Sequence, residues 1–136
     1  MARFRDTFNV RAMQLAQKIY HLTKEAIGKV PDMSTKIVAL FNLKPGVSVA
    51  DYENWAKTKD IPTVNGLQSV DEFAVFKSTG LLGTDDKPPY AYIETIDVND
   101  MDKFGGEVST ETMQAIAGEF QAMADDLVFI MTDKLG

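Results

Sequence analysis

The chain of 136 residues has no cysteine and one histidine, His21. The missing thiols exclude disulfides, thiol nucleophiles and Cys-ligated zinc or iron–sulfur centres. A single imidazole leaves a Ser-His-Asp triad or a multi-His metal site with little to work with, and it disfavours His-ligated haem. No apolar run approaches the roughly 18 residues that a membrane span needs. There is no phosphate loop and no dinucleotide fingerprint; Gly80 and Gly83 stand alone. The aspartates at 85, 86, 97, 100 and 102 lack the ligand spacing and terminal Glu of an EF-hand, and read as turns, caps and solvated surface. No metal and no cofactor is therefore expected.

Arginine is confined to one end. All three (Arg3, Arg5, Arg11) lie in residues 1–32, where six basic residues face three acidic ones. From Met33 onward eight lysines face seventeen acidic residues, a net charge of −9. Such a body repels phosphate backbones, so nucleic acid is not an expected partner. It also lacks the planar Arg fork that clamps carboxylates and phosphates. Neutral or cationic ligands fit this balance better.

Residues 1–32 read as a separate helical extension. Phe8, Ala12, Leu15, Ile19, Leu22 and Ala26 form an apolar stripe at helical period, with Gly28 and Pro31 as stop signals. Asp6 and Glu25 argue against a transit peptide and no signal-peptide core is present, so a cytoplasmic protein without a membrane partner is expected. The segment is a docking helix or an extension upstream of a natural start at Met33. His21 falls within it and reads as surface.

The body, 33–136, is one domain. Lys36–Leu43 has strand composition and ends at Lys44-Pro45-Gly46, a type II turn signal. Ser48 and Asp51 open a helix carrying Val49, Tyr52, Trp55, Ala56 and Lys59, which Pro62 is expected to close. Val70–Thr79 and Tyr90–Val98 are strands, separated by a loop over 80–89. Asn99 and Asp100 cap a short helix that Gly105-Gly106 should interrupt. A longer helix bears Met113, Ile116, Ala117, Phe120, Met123 and Leu127 on one face, and Leu127–Thr132 is the last strand.

This β-α-β-β-α-β order is the ferredoxin-like, split βαβ pattern of an α+β fold: one antiparallel sheet with two helices on one face. The bare face should then alternate apolar with polar. Instead Val38-Ala39-Leu40-Phe41, Phe73-Ala74-Val75-Phe76 and Leu127-Val128-Phe129-Ile130-Met131 are apolar on both parities. Strands buried on both faces need a second cover. The reading preferred here is a homodimer with sheets face to face, a dimeric α/β barrel; the N-terminal helix is the competing cover.

Blocks of the body resemble a known family. Lys36-Ile-Val-Ala-Leu-Phe-Asn-Leu-Lys44, Asp60-Ile-Pro-Thr-Val64, Thr79-Gly-Leu-Leu-Gly83, Ile96-Asp-Val-Asn-Asp-Met101 and Thr110-Glu-Thr-Met-Gln114 are similar to the REDY-like HapK family, in order, from Met33 to the C-terminus. The resemblance implies a dimeric ferredoxin-like fold. It also implies a place in the secondary metabolism of prodigiosin-type pigments and related pyrroles or indoles. It carries over no catalytic residues, and it does not reach residues 1–32.

Candidate site residues come from the strands and the first helix. Tyr90, Tyr92 and Glu94 share one strand face, and Glu94 lies in an otherwise apolar stretch. A desolvated carboxyl there has a raised pKa suited to proton transfer near neutrality, so Glu94 is the candidate acid/base, with Tyr92 beside it. The alternative is a carboxylate at a sheet edge satisfied by a hydroxyl or amide. Asn42 orients a substrate or satisfies the turn before Pro45. Tyr52 and Trp55 stack on a flat heteroaromatic ligand or belong to the core. Asp60, at the expected helix C-terminus where the macrodipole opposes it, contacts substrate or is solvent-exposed. Leu81 and Leu82 close over a pocket or form a dimer contact. Three functions follow: a cofactor-independent cyclase, condensing enzyme or isomerase acting on a small hydrophobic or heteroaromatic ligand; a non-catalytic binder of such an intermediate; or, by fold analogy, a cofactor-free monooxygenase.

Overall fold

A computed structural model describes residues 34–136. The expected helix over 1–32, and His21 with it, lie outside the described residues. Four strands, β1 (Thr35–Leu43), β2 (Val70–Lys77), β3 (Tyr92–Val98) and β4 (Ala124–Thr132), form one sheet in the order β2-β3-β1-β4. Every neighbouring pair is antiparallel. β3 therefore splits the parallel pair β1 and β2, and β1 splits β3 and β4. This is the expected ferredoxin-like topology.

Local chemistry sets the boundaries. Gly46, at φ +90°, completes the turn after β1, where Val47 N–H donates to the Lys44 carbonyl. Ser48 accepts from the Asp51 N–H at 3.3 Å and starts α1 (Val49–Trp55). The expectation that Pro62 closes this helix is incorrect. The helix widens into a π turn over Ala56–Asp60, where the Ile61 N–H reaches back to the Ala56 carbonyl, and then runs on as α2 (Ile61–Asn65). Pro62 sits in the first turn of α2, where its missing N–H costs little.

Three further boundaries differ from expectation. Gly105 and Gly106 lie inside α3 (Met101–Val108), which Asp100 caps through the Lys103 N–H. Burial of Met101 and Phe104 outweighs the glycines' poor helix propensity. The last helix, α4 (Glu111–Met123), ends before Leu127, because the chain turns extended at Ala124 and Leu127 belongs to β4. β3 likewise starts at Tyr92, two residues later than expected, leaving Tyr90 outside the sheet.

The sheet's two faces differ. Ile37, Ala39 and Phe41 of β1 and Tyr92, Glu94 and Ile96 of β3 point toward the helices and are buried. On the other face the register aligns two rows: Phe76–Ile93–Leu40–Val128 and Ala74–Thr95–Val38–Ile130. Seven of these eight residues are apolar, and none is buried in the single chain. Phe76 is 52% exposed, Ile130 43% and Val128 39%. The doubly apolar strands inferred from the sequence thus leave one broad apolar face that the helices among the described residues do not cover. No helix among the described residues is long and apolar enough to cross a membrane.

Candidate functional site

Between the sheet and its helices lies a cavity of about 120 Å³. Ile37, Ile96 and Phe129 line it from the sheet, and Phe104, Ile116 and Phe120 from α3 and α4. Two carboxyl groups interrupt this apolar lining: Glu94 and Asp60. No lysine, arginine or histidine is among the lining residues.

Glu94 reaches the cavity because of register. It lies in the middle row of the helix-facing side, between Val75 of β2 and Ala39 of β1. β3 is an interior strand, so the edge-carboxylate alternative does not apply. Nor is the group fully satisfied: Glu94 is only 4% exposed and its Oε1 has no hydrogen-bond partner in the protein. Burial, and then the charge of Asp60, push its carboxyl well above the usual range.

Asp60 reaches the cavity because of the π turn. Tyr52, Ala56, Asp60 and Val64 are the buried residues of this helical stretch, each four apart. A regular 3.6-residue helix would rotate such a stripe away from the sheet; the wider turn keeps it inward. Asp60 is therefore not the exposed C-terminal carboxylate of one sequence reading. It is 4% exposed, and burial raises its carboxyl to about 7. The inward turn also explains why a strict helical period singles out Lys59 instead, which lies outside and pairs with Glu119.

The other candidates fall elsewhere. Tyr92 is buried, but it is not among the cavity-lining residues, and its hydroxyl donates to Glu53 Oε2 at 2.8 Å. Lys77 holds that same carboxylate oxygen at 2.9 Å, and with the tyrosine it keeps Glu53 below the usual range. Tyr52 is buried against Tyr92 and Phe41, with ring centroids 4.8 and 5.7 Å away. Its hydroxyl lacks a partner, and burial followed by the charges of Glu94 and Asp60 raises its pKa. Trp55 donates its ring N–H to Glu119 at 3.0 Å and stacks on Phe120, one ring removed from the cavity. Tyr90 is half-buried beyond the strand and offers its carbonyl to Ser78.

Asn42 is bonded across the sheet and not within the turn before Pro45. Its side chain accepts from the Ala91 N–H and donates to the Pro89 carbonyl and Asp126, tying the entry of β3 to the bulge of β4. Asp126 itself has φ +53°, where β4 shifts register against β1. Leu81 and Leu82 do not line the cavity; Leu82 is fully exposed at a tight turn with Gly83. Among the described residues no three His, Asp or Glu side chains stand together as a metal site would require.

Sequence reasoning passes over the apolar lining. Phe104, Ile116, Phe120 and Phe129 carry only the ordinary periodicity of core residues. Nothing in that signal separates the wall of a cavity from solid packing.

The search of the curated proteins gives no match. Among solved structures the chain is similar to HapK from Hahella chejuensis, with 26% identity and a TM-score of 0.62 over 76% of this chain and 94% of that one. A dimeric ferredoxin-like protein of unknown function from Thermobifida fusca matches at 17% identity and a TM-score of 0.59, covering 74% of this chain and 91% of that one. A Dabb family protein with a ferredoxin-like fold from Mesorhizobium loti matches at 14% and 0.57, covering 76% and 98%. These last two likenesses show the fold. The family model for REDY-like protein HapK matches residues 35–135, and the chain belongs to that family.

Proposed function

We propose that this protein is a small-molecule enzyme of pyrrole or indole secondary metabolism, of the prodigiosin type. It acts without a cofactor by moving a proton on a heteroaromatic substrate. The observation that carries the reading is the buried Glu94 carboxyl, whose Oε1 has no partner and which lines an apolar cavity shared with Asp60. A carboxyl placed so is costly unless something is bound to it. Two carboxyls raised by burial, Glu94 further by the charge of Asp60, suit proton donation and return near neutral pH, the requirement of a cyclase, condensing enzyme or isomerase. Glu94 is the acid/base and Asp60 its partner in the exchange. Tyr92 acts indirectly, by packing beside Phe41 and Tyr52 at the sheet end of the same layer.

The test is product formation from pyrrole and bipyrrole precursors, followed by mass spectrometry. Glu94→Gln is expected to lower turnover on the order of 100-fold or more, the typical contribution of a positioned acid/base. The precursors should still quench the fluorescence of Trp55, the only tryptophan, in this variant. Quenching without acceleration by the wild type identifies a binder of the intermediate instead. Product that forms only in the presence of oxygen identifies a monooxygenase.

The working unit of this proposal is a homodimer joined through the open sheet face. The two cross-strand rows, exposed at Phe76, Val128 and Ile130, make a contiguous apolar surface of the kind a second copy covers. Light scattering is expected to give twice the chain mass, and Val128→Asp to return the mass to one chain by placing a charge in the interface. A wild-type monomer would assign the cover to residues 1–32.

A further inference from the structure

The cavity's size and its charge together limit what it accepts. At about 120 Å³ it is slightly smaller than engineered cavities of about 150 Å³ that take one benzene ring. It thus holds a single ring, with any larger ligand extending outside. Among its lining side chains only two carry oxygen or nitrogen, and both are carboxyls: Glu94, whose Oε1 is buried and unpartnered, and Asp60. β1, β2 and β4 present Ile37, Phe73 and Phe129, and α3 and α4 present no ionisable side chain to it. The nearby Tyr52 phenol is unpartnered too, but burial and both carboxyls hold it neutral, so it brings no positive charge. Tyr92 and Glu53 are engaged with each other and Lys77. The cavity lining thus has two carboxyls and no cationic side chain to offset them.

Resting on the site assigned above, we propose that the cavity is built for a planar nitrogen cation of one ring, of the amidinium or imidazolium class. The Asp60–Glu94 pair is its counter-ion, and a proton leaves the pair for solvent as the cation enters. The lining itself supplies no cationic side chain, so without a cationic ligand the pair's counter-charge is a proton. A ligand with N–H donors on a delocalised cation replaces it, giving Glu94 Oε1 the donor it lacks while its flat face meets Phe104, Ile116 and Phe120. A neutral ring of equal shape gains the apolar contact and at most a neutral hydrogen bond, without the ion pair. The same selection would apply to a cationic, protonated intermediate of a heteroaromatic substrate.

The probes are benzamidine and its neutral isostere benzamide, titrated calorimetrically into the full-length protein. Benzamidine is expected to bind at least tenfold more tightly than benzamide at pH 7.5. Repeating the titration in buffers of different ionisation enthalpy should reveal about one proton released per benzamidine and none per benzamide. Benzamidine affinity should rise with pH between 6 and 8, and benzamide affinity should not. Asp60→Asn and Glu94→Gln, both near-isosteric, should each weaken benzamidine at least tenfold and leave benzamide unchanged. Equal affinities for the two probes, absence of proton release, or no binding of benzamidine at millimolar concentration each overturn the proposal. The wild-type pH series decides it even if both variants misfold. The enzyme reading is judged separately, by turnover of the precursors; an active Glu94-dependent enzyme that ignores benzamidine would retain that reading and lose this one.

Discussion

Stability is expected to fall, not rise, as pH increases from 5 to 8. Most proteins are held together by carboxylates that are easier to ionise when folded, and they weaken in acid. Asp60 and Glu94 do the reverse. In the unfolded chain Asp60 titrates near 3.8; in the fold burial moves it to about 7. Below both values the group is protonated in either state and contributes nothing adverse. Between them the unfolded chain sheds its proton while the fold keeps it, so ionisation drives unfolding progressively until pH passes about 7. For Asp60 alone that amounts to on the order of 4 kcal/mol. Glu94 adds a loss of the same sign.

Urea or thermal denaturation at pH 5, 6, 7 and 8 measures this directly. A drop in melting temperature on the order of 15 °C is expected across the range. Asp60→Asn should remove the Asp60 share of the slope, leaving that of Glu94, and make the protein more stable than wild type at pH 8, because a neutral amide no longer has to be ionised in an apolar site. A flat or rising profile would show that the carboxyls are ionised in the fold at neutral pH. The lowered groups, Glu53, Glu107 and Glu119, do not confuse the result: Glu53 and Glu119 are held by Lys77 and Lys59 and Glu107 by the Gln68 and Ser69 N–H groups, and their contribution changes only at lower pH.

Phe41→Ala is expected to cost about 3–5 kcal/mol, the range found when a large aromatic is truncated in a core. Against a typical total of roughly 5–15 kcal/mol, this variant should be largely unfolded at 37 °C or close to it. The reason lies in where Phe41 sits. It is fully buried on β1, an interior strand, and its ring meets Phe120 edge-on at 4.9 Å, Tyr92 stacked at 5.4 Å and Tyr52 edge-on at 5.7 Å. It therefore joins β1, β3, α1 and α4 at one point. Truncation also leaves the Tyr52 hydroxyl, already without a partner, beside an empty volume. Phe41→Leu, which keeps most of the apolar volume, should lose much less. Chemical denaturation of the two variants beside wild type separates the cavity from the loss of aromatic contact. A Phe41→Ala loss below about 1 kcal/mol would mean that the four elements do not share one core.

The amino-acid order alone determined the element sequence and the fold class. β-branched runs bounded by Pro, Gly and Asx signals mark the strands, and capping residues such as Ser48 and Asp100 mark helix starts. These are local interactions, and the described structure makes them as read. The apolar character of both strand parities also came from sequence, since side chains alternate across a sheet whatever its neighbours. So did the choice of Glu94 as an unusual carboxyl, because a lone charge between Ile93 and Ile96 stands out without coordinates.

What tertiary structure decided is which groups meet. The π turn is not written in any propensity; it arises where Pro62 and the buried stripe of Tyr52, Ala56, Asp60 and Val64 have to be reconciled with the sheet below. That turn brings Asp60, read equally as a solvent-facing residue, to the cavity that Glu94 lines. Strand order, which places β3 in the interior, made Glu94 a buried group instead of an edge one. The same packing took Tyr92 away, by offering its hydroxyl Glu53, and drew Asn42 into bracing the bulge of β4. Each of these outcomes depends on residues distant in the chain, 34 apart for Asp60 and Glu94. A sequence can name the unusual residues, but only the fold's long-range packing decides which of them share a cavity.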